Sequence, residues 1–197
     1  MQDEGLTLYR RFLNGDEGGL EALITLYQHG LLRFIYGYVH DIALAEDIFT
    51  DVFMTLYCNK HAFRVQDEGT LKSYLYKIAR NKALNALRKR KRRKETSLDG
   101  LIENGVELFQ NANAFHLFDF HDADFHLEKT EQATALHAAL NTLPSDYTEV
   151  LILRYFEDLP PEKIAKITKR TPKQVYNLLA RAKTALKEKL STEETQI

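Results

Sequence analysis

The chain has 197 residues, 44% hydrophobic and 28% charged, which is room for one medium domain or two small ones. No apolar run approaches the roughly 18–20 residues that span a bilayer, and the start MQDEGLTLYRRF lacks the basic head and apolar core of a signal peptide, so the cytoplasm is the expected compartment. Cys58 is the single cysteine, which excludes an internal disulfide and a multi-cysteine zinc module; the net charge of −1, taken alone, argues against a nucleic-acid partner.

The total hides a pattern. Residues 1–95 hold 16 basic and 12 acidic side chains, net +4. Residues 96–128 hold seven acids and no Lys or Arg, and residues 129–197 hold 11 basic and nine acidic, net +2. Two mildly basic blocks flank an acidic connector, and such blocks carry local fields that the sum conceals.

The first 95 residues read as helices. In GDEGGLEALITLYQ, Asp16 is the expected N-cap, followed by Leu20, Leu23, Ile24 and Tyr27 at helical spacing. LLRFIYGYV continues with apolar residues at 31, 34, 35, 38 and 39. In ALAEDIFTDVFMTLY, Ala45, Ile48, Val52, Phe53 and Leu56 make one stripe, while Glu46, Asp47 and Asp51 lie outside it. Like charges four apart mildly destabilise a helix. They read either as a solubilising surface or as a docking face for a basic partner.

AFRVQDEGT reads as a loop closed by Gly69, and a long helix is expected from about Leu71. At 100° per residue Leu71, Leu75, Ile78, Ala79 and Ala86 share one side. Tyr74, Asn81, Asn85, Arg88 and Arg92 form a second stripe, and Leu84 fits neither. Asn81 to Glu95 contains eight Lys or Arg. Cations at a helix C-terminus are favoured by the dipole in any case, and a localisation tag needs only the charges. A ring, two amides and guanidinium groups in line suit a nucleic-acid strand: the ring stacks, the amides read an edge, and the cations hold phosphates.

Residues 96–128 combine turn residues, acids and five phenylalanines, a linker too aromatic for a simple solvated chain. His116, His121 and His126 interleave there with Asp119, Asp122 and Asp124, a spacing that matches no compact metal-ligand set. Helical periodicity returns near residue 129 with Ala135, Leu136, Ala139, Leu140 and Leu143; Pro144 precedes the next helix, SDYTEVLILRYFEDL. Pro160 and Pro161 then open a short helix with Ile164, Ala165 and Ile167 inside. TKRT, 168–171, is the turn, and Pro172 opens a helix with Val175, Leu178, Leu179, Ala182 and Leu186 inward and Lys173, Asn177, Arg181 and Thr184 outward. This is a helix-turn-helix pattern, whose second helix fits a major groove; a plain helical hairpin is the bland alternative. Many such turns contain Gly, and here Lys169 or Arg170 must serve.

Taken in order, NGDEGGLEALITLY, ALAEDIFTDVFMTLY, LKSYLYKIARNKALNALRKRKRR and the block from Leu140 to Lys187 resemble bacterial extracytoplasmic-function sigma factors, the two-domain initiation subunits of RNA polymerase. The resemblance implies an all-α fold: a region 2-like domain over 1–95, an acidic linker over 96–128 and a region 4-like helix-turn-helix domain over 129–191. It implies that Glu46, Asp47 and Asp51, with Phe53 beneath, dock on core RNA polymerase. Phe63, Arg64, Tyr74, Asn81, Asn85, Arg88 and Arg92 would open and read the minus-ten element of promoter DNA. Lys173, Gln174, Asn177 and Arg181 would read the minus-thirty-five element. Tyr74 stands where the family commonly has Trp. The linker is expected to thread a basic polymerase channel, and an anti-sigma protein is a further expected partner. No cofactor, metal, catalytic residue or membrane insertion is expected. A stand-alone helix-turn-helix regulator is the competing reading.

Overall fold

The structure is a computed structural model and describes residues 4–63, 70–96 and 131–194. Its regular elements are helices: α1 (Glu4–Leu13), α2 (Glu17–Val39), α3 (Ile42–Cys58), α4 (Leu71–Thr96), α5 (Glu131–Thr142), α6 (Ser145–Leu151), α7 (Pro161–Thr168) and α8 (Pro172–Glu194). A π-helical turn, Ile152–Phe156, follows α6 directly. No described helix is long and apolar enough to cross a membrane. The linker, with its three histidines, and Arg64 lie outside the described residues.

The first half is built around α2. Asp16 sits at its N-cap, yet its carboxylate accepts from Arg11 Nε at 2.9 Å instead of closing the helix end. α1 crosses α2 so closely that a Cβ on Gly19 would stand 2.6 Å from the Phe12 amide nitrogen and 2.7 Å from the Leu8 carbonyl oxygen. Asp41 caps α3 properly, its carboxylate accepting from the Leu44 amide at 3.1 Å. All five stripe residues of α3 are buried. On α4, Leu71, Leu75 and Ala79 are buried as the periodicity predicts. Leu84, which fits neither stripe, is half-buried against the same core. Tyr76 and Ala83 are buried as well, on a side that the stripe does not cover.

The second half follows the predicted order with one change. The helix after Pro144 does not run evenly to Leu159 but switches to π geometry, and the Glu157 amide donates to the Ile152 carbonyl five residues back at 3.1 Å. The extra residue per turn re-aims Phe156 and Glu157. α7 ends with Lys169 in the left-handed region, φ 56°, so Lys169 supplies the turn that a Gly commonly makes. Val175, Leu179 and Ala182 bury the inner face of α8.

The two halves share one hydrophobic cluster. α2 packs on α1, α3 and α4 and also on α6, and α4 packs on α7. That is why every residue from Leu31 to Val39 is buried, Arg33 included. A helix that is apolar on all sides must be covered on all sides.

Candidate nucleic-acid interface

α3 and α4 lie side by side, and their facing edges form one groove. Asp47 and Asp51 line it from α3; Lys82, Asn85, Lys89 and Arg93 line it from α4. Lys82 bridges the two walls, its Nζ 3.4 Å from Asp51 Oδ2. The acids expected to meet a protein and part of the strip expected to meet a nucleic acid therefore border the same cleft. Glu46, Asp47 and Asp51 are exposed, with Phe53 buried beneath and its ring 5.1 Å from that of Phe49.

Along α4, Asn85, Arg88 and Arg92 are exposed, while Tyr74 and Asn81 are half-buried. Arg88 Nη1 donates to Asn85 Oδ1 at 3.0 Å, so amide and guanidinium form one preset polar unit. Tyr74 is seated by Phe63, whose ring centroid is 5.3 Å away; Phe63 in turn meets the Tyr9 ring edge-on at 5.5 Å. The Tyr9 hydroxyl donates to the Lys60 carbonyl, tying α1 to the loop. Phe63 is 7% exposed. Phe63, expected on the nucleic-acid surface, is packed under Tyr74 instead, where the clustered Tyr9, Phe63 and Tyr74 rings bury apolar surface that a lone exposed ring would leave in water.

The outer face of α8 carries Lys173, Asn177, Arg181 and Thr184, all exposed. Gln174 is exposed too, but its side chain is engaged. Its Oε1 accepts from the Thr171 amide at 2.8 Å, and Thr171 Oγ1 accepts from the Gln174 amide at 3.2 Å. This reciprocal capping box was readable as Thr-x-x-Gln at 171–174. The turn is anchored from below by Arg170, which pairs with Asp146 at 2.8 Å and Glu149 at 3.0 Å. Burial alone weakens the Arg170 charge, but these two carboxylates outweigh it and push its pKa up.

Two aromatic side chains that periodicity did not single out are exposed on this half, Tyr155 and Tyr176. Lys183 Nζ sits 5.8 Å from the Tyr155 ring centroid. Among the described residues no group of three or more His, Cys, Asp and Glu is arranged to hold a metal.

Residues 23–93 match the family model for Sigma-70 region 2, and residues 133–186 match that for Sigma-70, region 4. The RNA polymerase sigma-H factor of Pseudomonas aeruginosa is 30% identical over 94% of this chain and 93% of its own length. The extracytoplasmic-function sigma factor SigM of Bacillus subtilis is 27% identical over 85% of this chain and 93% of its own. Among solved structures, the sigma factor RpoE of Bartonella quintana, crystallised with the anti-sigma factor NepR, superposes with a TM-score of 0.65 at 24% identity, over 87% of this chain and 96% of that one. CnrH in complex with the cytosolic domain of CnrY gives 0.63 at 16% identity, over 96% of this chain and 99% of that one.

Proposed function

This chain belongs to the sigma-70 family of RNA polymerase sigma factors, extracytoplasmic-function type, and on that premise we propose how its residues divide the work of transcription initiation. Residues 1–95 hold core polymerase through Glu46, Asp47 and Asp51 and take the minus-ten strand along Tyr74, Asn81, Asn85, Arg88 and Arg92. Residues 129–191 take the minus-thirty-five duplex on the outer face of α8, with Lys173 on phosphate and Asn177 and Arg181 on base edges. Gln174 serves first as a cap. Residues 96–128 join the two. The chain itself catalyses no step in this scheme. An anti-sigma protein is a further expected partner, since both solved relatives were captured with such a partner or a cytosolic partner domain.

One observation carries the reading: two separate exposed helix faces bear amides and cations, and a third exposed face bears three carboxylates. A protein that read duplex DNA alone would have no use for the third. The test is transcription by core polymerase on a promoter library, with and without the chain. Asp47→Lys with Asp51→Lys should lower core binding at least tenfold and leave duplex binding unchanged. Arg181→Ala should weaken minus-thirty-five duplex binding about 5- to 150-fold. Tight duplex binding with no core-dependent initiation would favour the stand-alone regulator instead.

A further inference from the structure

Tyr74 is the aromatic member of the stripe along α4, and two sets of contacts hold it. Its backbone is fixed by the helix start. The Tyr74 amide donates to the Thr70 carbonyl at 3.1 Å, and the Ser73 amide donates to Thr70 Oγ1 at 3.2 Å. Its ring is fixed from elsewhere in the chain. The Phe63 ring lies 5.3 Å from it, tilted by 44°, and Tyr9 of α1 meets Phe63 at 5.5 Å and 81°. Phe63 and Tyr9 are 7% and 2% exposed, while Tyr74 keeps part of its surface in water.

α1 gives this row a firm base. The Tyr9 hydroxyl donates to the Lys60 carbonyl, just ahead of Phe63. Burial, and then the neighbouring Tyr74 phenol, raise the Tyr9 pKa, so this hydroxyl stays protonated and donating near neutral pH. On its other side Tyr9 has the Phe12 ring at 6.4 Å, and Phe12 has Tyr57 of α3 at 5.8 Å. The helix itself is held where it crosses α2 at Gly19. A row of rings thus runs from α3 through α1 to the first turn of α4. α1 ends at Leu13, before residue 23, where the match to Sigma-70 region 2 begins.

The position of a stacking ring matters more than that of a surface cation. Asn85, Arg88 and Arg92 stand exposed and can follow a phosphate, whereas a ring has to present one face to a base. A base gains most on a ring already in place; a ring that must be ordered at capture gives back part of that gain.

We propose that Tyr9 and Phe63 are positioning residues for strand capture: with α1 as their base, they hold the Tyr74 ring in the pose on which an unpaired minus-ten base stacks. This rests on the sigma-factor reading above. Neither residue touches DNA; both act through Tyr74. A purely structural role would make their substitution equally costly with or without the Tyr74 ring.

The test is a double-substitution cycle on holoenzyme, the full chain with core polymerase, using a promoter recovered from the library above. Capture of its single-stranded minus-ten oligonucleotide and opening of its duplex, read by 2-aminopurine fluorescence, are measured side by side. Tyr9→Leu and Phe63→Leu each remove a ring and keep an apolar side chain. Each should weaken capture and slow opening about three- to tenfold. Core binding and minus-thirty-five duplex binding should stay within about twofold, since those faces lie elsewhere. In a Tyr74→Ala chain, itself weakened about fivefold or more, the same changes should add less than about twofold. Tyr9→Phe, which keeps the ring, should recover most of what Tyr9→Leu loses. The chain contains no tryptophan, so Tyr74→Trp supplies a single reporter. Adding Phe63→Leu to it should lower the fluorescence anisotropy and raise quenching by iodide. Phe63→Leu carries the same test should Tyr9→Leu not fold. Equal losses with and without the Tyr74 ring would overturn the proposal and leave Tyr9 and Phe63 as plain core. Unchanged capture in both leucine variants, or a Tyr9→Phe loss as large as that of Tyr9→Leu, would overturn it too. Failure of the wild-type holoenzyme to open any promoter would bring down the sigma reading itself, and this proposal with it.

Discussion

Gln174 shows how one side chain can belong to two accounts. Its position beside Lys173 on the first turn of α8 marks it as a base reader, while its hydrogen bonds with Thr171 mark it as part of the helix start. The two roles separate by substitution. Gln174→Glu keeps the acceptor that the Thr171 amide needs, so thermal stability should change by less than about 0.5 kcal/mol, while the added negative charge should weaken minus-thirty-five binding at least tenfold. Gln174→Ala should do the reverse, lowering stability by about 1 kcal/mol with a smaller effect on binding. Thermal denaturation and duplex titration on both variants decide it; a Gln174→Ala variant with unchanged stability would make the cap incidental. Residue type and spacing were enough to place Lys173, Asn177 and Arg181 outside. They were not enough for Phe63, because whether a ring ends on the surface or in the core depends on which other rings come near it, and Tyr9 comes from 54 positions away.

At the scale of elements, periodicity read α3 and the inner face of α8 well, since each buries a single stripe and leaves its opposite face exposed. On α2 the stripe Leu31, Phe34, Ile35, Tyr38 and Val39 is buried as its spacing predicts, but Leu32, Arg33, Tyr36 and Gly37 on the other sides are buried as well, which a one-sided stripe does not signal. The π turn had no visible signal, because LILRYF is equally compatible with α geometry. The α1–α2 crossing brings backbone against backbone at Gly19. A methyl on Gly19 would gain up to about 1 kcal/mol of helix propensity, but it would press on the backbone of Phe12 and Leu8, which cannot rotate away. Overpacking against immobile atoms costs about 1–3 kcal/mol. Gly19→Ala should therefore lower stability by about 1 kcal/mol net despite its better propensity, seen as a lower urea midpoint. Gly30→Ala should cost less, since the atoms in its way are the ends of the Glu157 and Tyr76 side chains. Equal or raised stability in Gly19→Ala would mean that the helices can move apart freely.

For the whole molecule, the contact between halves was hidden for a physical reason: Glu149 and Glu157 look like ordinary surface acids until their partners Arg80 and Lys72, 69 and 85 positions away, are known. That contact also sets a pH limit. Burial first, and then the Glu149 carboxylate, push the Tyr38 phenol far above its usual range; burial and then Glu157 do the same for Tyr76. Below about pH 10 both phenols are neutral in the packed and unfolded forms, so they add no pH dependence. Above that, the unfolded form loses protons that the packed form retains, and stability falls with rising pH, by at most about 1.4 kcal/mol per unit for each tyrosine. Tyr38→Phe removes one contribution and leaves that of Tyr76. Its stability curve should run parallel to wild type below about pH 10 and fall less steeply above it, as measured by denaturant unfolding across the alkaline range. The ultraviolet absorbance of tyrosinate should show the wild type withholding part of its signal until the packed form is lost. Parallel curves throughout would mean that Tyr38 ionises without disturbing its neighbours, and that the Glu149 side of the contact is already wet.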